Sequence, residues 1–322
     1  MQAVVIEDGQ LALRERPDPE PRGREVLVRV RATSVNRADL LQRAGRYPAP
    51  TGAPADVPGL EVAGEVAALG PTATGWEVGQ RVMALVPGGG HAELVCVEDD
   101  QLVDVPDSLD DVTAGASMEV FATAWDALVW QAGMRAGETV LVHAVGSGVG
   151  TAAVQLCRAV GARPVGTSRT PEKLDRAAEL GMVAGTVVAD PAGRAAQDAV
   201  RALGEPDVVL DLVGGDYLSL DARVAAPQAR IVLVGLLAGG STDLPLGAVL
   251  AKRLVVRGTV LRSRAHHEKA AVARGFAREV VPLLADGRVA PVVEQVLPLA
   301  RAADAYDLVG GNTTVGKVVL TT

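Results

Sequence analysis

The chain has 322 residues, 48% of them hydrophobic, enough for two domains that each bury a core. Its 31 basic against 39 acidic residues leave a formal charge of −8, which argues against nucleic acid or an anionic membrane as a partner. The start Met1-Gln-Ala-Val-Val-Ile-Glu lacks a basic leader, no apolar run reaches membrane-spanning length, and Cys96 and Cys157 sit in apolar patterns, so a cytoplasmic protein with buried free thiols is expected.

From Met1 to about Ser117 short β-type runs dominate: Val26 to Val30, Glu61 to Ala67, Arg81 to Val86 and Ala92 to Val97. Turns such as Gly23, Pro58-Gly59, Gly70-Pro71 and Pro87 to Gly90 separate them, which predicts a compact β-barrel-like domain. From about Glu119 the pattern changes to alternating strands and helices. Strands are predicted near 139–144, 163–168, 185–189, 208–213, 230–235 and 254–260, and helices at 148–160, 171–180, 192–203 and 215–226, an α/β pattern that makes a doubly wound parallel sheet. After Leu261 a helix around Lys269 to Ala285 precedes β-type runs Val292 to Leu297 and Gly316 to Leu320. These resemble the first domain, so the expected boundaries are 1–118 with 261–322 for a discontinuous catalytic domain and 119–260 for a continuous cofactor domain.

The segment Thr139-Val-Leu-Val-His143-Ala-Val-Gly146-Ser147-Gly148-Val149-Gly150-Thr151 reads as a buried strand, a glycine turn and a helix start. Backbone amides at such a helix N-terminus, with about half a positive charge, make a seat for a dinucleotide pyrophosphate. In the frame that ends at Gly150 the two earlier glycine positions hold Val145 and Ser147. About twenty residues on, where a carboxylate would hold a ribose 2′-hydroxyl, the chain reads Thr167-Ser168-Arg169-Thr170-Pro-Glu-Lys173. A hydroxyl and two cations there favour a 2′-phosphate, hence NADPH over NADH. The alternative is that Arg169 and Lys173 are solvated charges opening the next helix.

The order of Val35-Asn36-Arg37-Ala38-Asp39-Leu40, Pro58-Gly59-Leu60-Glu61, Val78-Gly79-Gln80-Arg81, the 145–150 turn and Gly316-Lys317 resembles the zinc-independent quinone oxidoreductase branch of the medium-chain dehydrogenase/reductase superfamily. The resemblance covers essentially the whole chain. Asn36 through Tyr47, the run Ala84 to Gly90 and Val260-Leu-Arg262-Ser-Arg264 are most similar to the tumour-suppressor-inducible quinone oxidoreductase group and its bacterial relatives. It implies a Rossmann cofactor domain, a GroES-like β-barrel catalytic domain and a homodimer. The dimer would form through the edge strand Leu254 to Val260.

In the zinc alcohol dehydrogenases of this fold, the matching places hold metal ligands and their polar neighbours; here they read Asn36, Leu41, Leu60 and Glu119, so no metal is expected. Hydride addition to an electron-poor quinone needs little Lewis-acid help. Tyr47, in the loop Gly45 to Gly52, is a candidate hydrogen-bond or proton donor or a stacking platform, or else a loop aromatic covering the barrel core. Asn36 is a candidate for the nicotinamide ribose or the substrate carbonyl, or stabilises its own turn. By the resemblance, Thr123 matches a threonine beside the nicotinamide, the alternative being a helix hydroxyl bonded to its own backbone, and Gly235-Leu236-Leu237 is expected to position the ring. With Ser147, Gly148, Val149, Gly150, Ser168, Arg169, Lys173 and Lys317 they form the expected cofactor set.

Glu119 is either an acid with a raised pKa or a structural partner of Arg37 or of a backbone amide. His91, His266 and His267 read as surface or turn residues, and His143 as packed or phosphate-proximal. The activity implied is NADPH-dependent reduction of quinones or related electron-poor carbonyl compounds. Reduction of enoyl-thioester or alkenal double bonds is an alternative activity, and a non-catalytic NADPH-binding protein is an alternative of another class.

Overall fold

The computed structural model describes residues 1–322. The chain divides into two units, Met1–Ala122 with Leu261–Thr322, and Thr123–Val260. None of its helices is long and apolar enough to cross a membrane.

The unit Thr123–Val260 carries six parallel strands in the order Ala184–Val187, Arg163–Ser168, Thr139–Val142, Val208–Asp211, Arg230–Leu233, Val255–Gly258. The chain builds outward from Thr139–Val142 in one direction and then, from Val208–Asp211, in the other, which is the doubly wound Rossmann arrangement. Val140, Leu141, Val142, Val208, Val209 and Leu210 are all fully buried. Such runs lack polar alternation because helices cover both faces of the sheet.

Most of these strands stop about two residues earlier than their apolar runs suggest. After Val142 the chain turns at Ala144, which has a left-handed φ of 54°; after Asp211 it turns at Gly214, with φ 70°. The helix Leu246–Lys252 goes unmarked in the sequence because it buries no residue and so shows no apolar stripe.

The other unit opens with the hairpin Gln2–Glu7 and Gln10–Glu15, closed by Asp8-Gly9 with both residues at positive φ. The strand Glu25–Val35 organises its main sheet. Along one edge it pairs with Glu61–Leu69, and along the other first with Leu94–Glu98 and then with Lys317–Thr321. Arg81–Leu85 and Leu102–Asp104 extend one side, and Val293–Pro298 the other, giving the GroES-like β-structure. Val28, Val30, Val62, Val66 and Val82 alternate inward to form one core; Val35, Tyr306, Val318 and Leu320 belong to a second. The helix expected over 269–285 is two helices, His266–Glu279 and Val281–Ala285. Pro282 lacks the amide that would continue the first.

Candidate functional site

In the Rossmann unit, Ser147 caps the helix Gly148–Val160, its Oγ accepting the Gly150 amide at 3.0 Å. The amides of Gly148 and Val149, in the first turn, have no intrahelical acceptor. A Cβ on Gly150 would stand 2.4 Å from the Ala144 carbonyl, so glycine lets the helix pack against the turn. At Gly146 a Cβ would meet the stem of the Lys173 side chain at 2.7 Å. Lys173 therefore lies directly against the glycine turn, a proximity the sequence spacing does not reveal. Ser168 ends its strand buried, accepting the Thr170 amide at 3.3 Å, while Arg169 beside it is exposed. The turn thus offers free backbone amides at a helix N-terminus, the arrangement that receives a pyrophosphate, with Ser168 and Arg169 at the end of the neighbouring strand.

At the same end of the sheet, Gly235 lies against the Leu212 carbonyl, where its Cβ would stand at 2.4 Å. Leu236 and Leu237 leave 57% and 51% of their surface exposed, an apolar ledge suited to a flat ring. Thr123 is buried on the helix Met118–Trp125. His143 is fully buried, its Nε2 2.6 Å from Asp221 Oδ1 and its Nδ1 2.7 Å from Thr167 Oγ1, with the Tyr217 ring edge-on at 4.8 Å. Burial alone would lower its pKa, but the Asp221 charge and hydrogen bond raise it overall. Burial pushes Asp221 up to about 6.

In the β-rich unit, Asn36 begins the helix Arg37–Arg43, and Asp39 accepts the Asn36 amide at 2.7 Å and the Gly59 amide at 3.0 Å. Lys317 is only 3% exposed and donates to Asn36 Oδ1 and, at 2.9 Å, to Glu61 Oε1. A buried ammonium has to find such acceptors, so Lys317 acts from beneath Asn36. That contact also fixes which Asn36 atom is oxygen, since an ammonium only donates. The Asn36 Nδ2 donates to the Ser34 carbonyl and to Glu61 Oε1, both at 3.3 Å. Its amide protons are thus committed, while Oδ1 keeps a lone pair.

Glu61 Oε2 accepts the Glu119 amide at 2.8 Å. Burial, reinforced by the Glu61 charge, raises the Glu119 carboxyl to about 8, against the pull of Lys317 and Arg262. It is largely neutral at pH 7. Tyr47 is half-buried in its loop, and the Arg262 guanidinium lies over its ring at 5.0 Å.

His91 departs from its expected surface position. It is fully buried between the Ser34 carbonyl, 3.3 Å from Nε2, and the Tyr306 hydroxyl, 3.3 Å from Nδ1, and burial lowers its pKa. The adjoining glycines hide this, because Gly59 and Gly90 let backbone close over the ring. His266 and His267 are exposed, His266 pairing with Asp100 at 3.0 Å. Cys157 is buried and Cys96 half-buried, with burial pushing their thiols up to about 12 and about 11.

Two family descriptions match the chain: an alcohol dehydrogenase GroES-like domain over residues 22–107 and a zinc-binding dehydrogenase over residues 148–277. A quinone oxidoreductase of Pseudomonas aeruginosa is 34% identical across 96% of this chain and 95% of its own length. A phenolphthiocerol/phthiocerol polyketide synthase of Mycobacterium tuberculosis is 32% identical across 93% of this chain, which spans only 14% of that synthase. Among solved structures, the quinone oxidoreductase of Thermus thermophilus, determined also in complex with NADPH, superposes with a TM-score of 0.84 at 32% identity, covering 100% of both chains. The chain belongs to the medium-chain dehydrogenase/reductase superfamily, in its quinone oxidoreductase branch.

Proposed function

We propose that the protein is an NADPH-dependent, metal-independent reductase of quinones or related electron-poor carbonyl compounds, acting as a cytoplasmic homodimer. The observation that carries the reading is the Ser147-capped glycine turn, whose free Gly148 and Val149 amides open the helix Gly148–Val160 while the stem of Lys173 packs against Gly146. NADPH, the ligand of the Thermus relative, supplies a hydride from C4 of its nicotinamide when bound. The Gly148 and Val149 amides hold its pyrophosphate, Ser168, Arg169 and Lys173 its 2′-phosphate, and Thr123 with Gly235, Leu236 and Leu237 its nicotinamide. Asn36, with its amide protons committed, accepts from a ribose hydroxyl through Oδ1 better than it donates to a carbonyl. Tyr47 donates a hydrogen bond to the acceptor oxygen as that oxygen gains charge.

Zinc has no part in this reading. No group of three or more His, Cys, Asp or Glu side chains is arranged to hold a metal, and the Lys317 ammonium already occupies the acceptors of Asn36 and Glu61. A second reading, reduction of enones or enoyl thioesters, is favoured by Glu119, a carboxyl that keeps its proton near neutral pH and could protonate the reduced alkene. Steady-state NADPH oxidation with a panel of quinones and enones tests both. Turnover of quinones at the higher kcat/KM supports the first reading, preference for enones the second, and NADPH binding without turnover overturns both.

A further inference from the structure

Arg262 lies just after the chain re-enters the β-rich unit, and it is 8% exposed. A guanidinium that deep needs acceptors for its donors. Nε donates to the Pro87 carbonyl at 2.7 Å, Nη1 to the Tyr47 carbonyl at 3.2 Å, and Nη2 to Gln42 Oε1. Gln42 extends the restraint, its Nε2 donating to the Ala55 carbonyl at 3.1 Å. One side chain thus ties together the helix Arg37–Arg43, the loop that carries Tyr47 and the turn after Arg81–Leu85. The same guanidinium lies 5.0 Å from the centroid of the Tyr47 ring, within the range of cation–π attraction.

We propose that Arg262 is the positioning residue for Tyr47: it pins the loop at the Tyr47 carbonyl and seats the phenol ring on its guanidinium, so that the hydroxyl is held ready to donate to an acceptor oxygen. The catalytic part of this inference rests on the reading that Tyr47 meets substrate; the positioning part does not. Electrostatics act in the same direction. Burial raises the phenol pKa, the Arg262 charge lowers it, and the Glu119 carboxyl, when ionised, raises it. Burial works against the Arg262 charge, which Tyr47, Asp39 and, when ionised, Glu119 support, and Lys269 is the neighbouring cation. Removing the Arg262 charge leaves Tyr47 with the two influences that make it a poorer donor. Lysine is an incomplete replacement, because its ammonium supplies charge without the planar fork that reaches three acceptors.

The test replaces the three tyrosines biosynthetically with 3-fluorotyrosine, whose phenol is more acidic and titrates where the fold persists, and follows fluorine NMR of the whole chain. Tyr47→Phe assigns the resonance. In Arg262→Met the Tyr47 resonance is expected to shift and its titration to move upward, with kcat/KM down roughly tenfold or more; Arg262→Lys keeps most of the titration but loses part of kcat/KM. In a Tyr47→Phe background Arg262→Met should add little further loss. An unchanged Tyr47 resonance and titration in a folded Arg262→Met protein overturns the proposal. If the titration moves and kcat/KM does not, the positioning role stands and the place of Tyr47 in catalysis falls. Where Arg262→Met does not fold, Arg262→Lys decides: an unchanged Tyr47 resonance with unchanged kcat/KM overturns the proposal, and a shifted resonance supports it.

Discussion

The Lys317 ammonium and the Glu61 carboxylate meet at 2.9 Å with 3% and 0% of their side-chain surface exposed. Breaking a buried pair leaves an uncompensated charge, which costs about 3–5 kcal/mol. Lys317→Met should therefore lower the melting temperature strongly, and adding Glu61→Gln should recover part of the loss. Calorimetry of the two variants measures this, and an unaltered melting temperature for Lys317→Met would show that the pair is not what holds Asn36.

Glu119 gives a stability slope with a defined sign. Its carboxyl titrates at about 8 in the folded chain against an ordinary 4.5, so the native state keeps a proton that the unfolded chain releases. Stability should fall as pH rises through that interval. Glu119→Gln lacks the titration and should match the parent near pH 5 but exceed it by roughly 1–3 kcal/mol at pH 9, a figure reduced for partial solvent access. Denaturant titrations at the two pH values measure the difference, and parallel stabilities at both would contradict a raised Glu119.

For the cofactor, NADPH is expected to bind at least tenfold more tightly than NADH. A charge-assisted contact to phosphate contributes roughly 1–3 kcal/mol, and 1.4 kcal/mol is about tenfold. Arg169→Ala, at an exposed position, should erode that preference without unfolding the protein. Fluorescence titration gives both constants, and equal affinities for the two cofactors in the parent would remove the 2′-phosphate assignment.

Dialysis against a strong chelator should leave kcat and melting temperature unchanged, with no stoichiometric zinc by elemental analysis. Activity lost to the chelator and restored by zinc would overturn the metal-independent reading.

Association should run through the sheet edge Val255–Gly258, all four residues of which are exposed. Leu246 and Leu250 nearby in sequence are 71% and 80% exposed. An open apolar edge is an aggregation hazard unless a second strand covers it. Sedimentation velocity at micromolar concentration should show a dimer, and Val256→Asp should shift it toward monomer; a parent that sediments as a monomer refutes the assembly.

The strands of the Rossmann unit and its glycine turn were legible because local apolar runs and glycines encode them. The site was legible less evenly. Asn36, Tyr47 and Glu119 stand out by residue type, but what restrains them comes from far along the chain: Lys317 reaches Asn36 across 281 positions and Arg262 reaches Tyr47 across 215. No spacing rule encodes such pairs. His91 differs from its expected surface position for the same reason: besides the backbone that Gly59 and Gly90 let close over it, its ring is held by Ser34 and Tyr306, 57 and 215 positions away.

The pairing of Lys317–Thr321 with Ala32–Val35 bears on how the chain is made. On a ribosome the first strand emerges about 280 residues before its partner, which at 5–20 residues per second is a wait of roughly 15–60 s. Throughout that interval Ala32 to Val35 present unpaired backbone on one side, next to the segment that will become Asn36 and its helix. Removal of the strand Lys317–Thr321 should therefore yield aggregated rather than merely inactive protein.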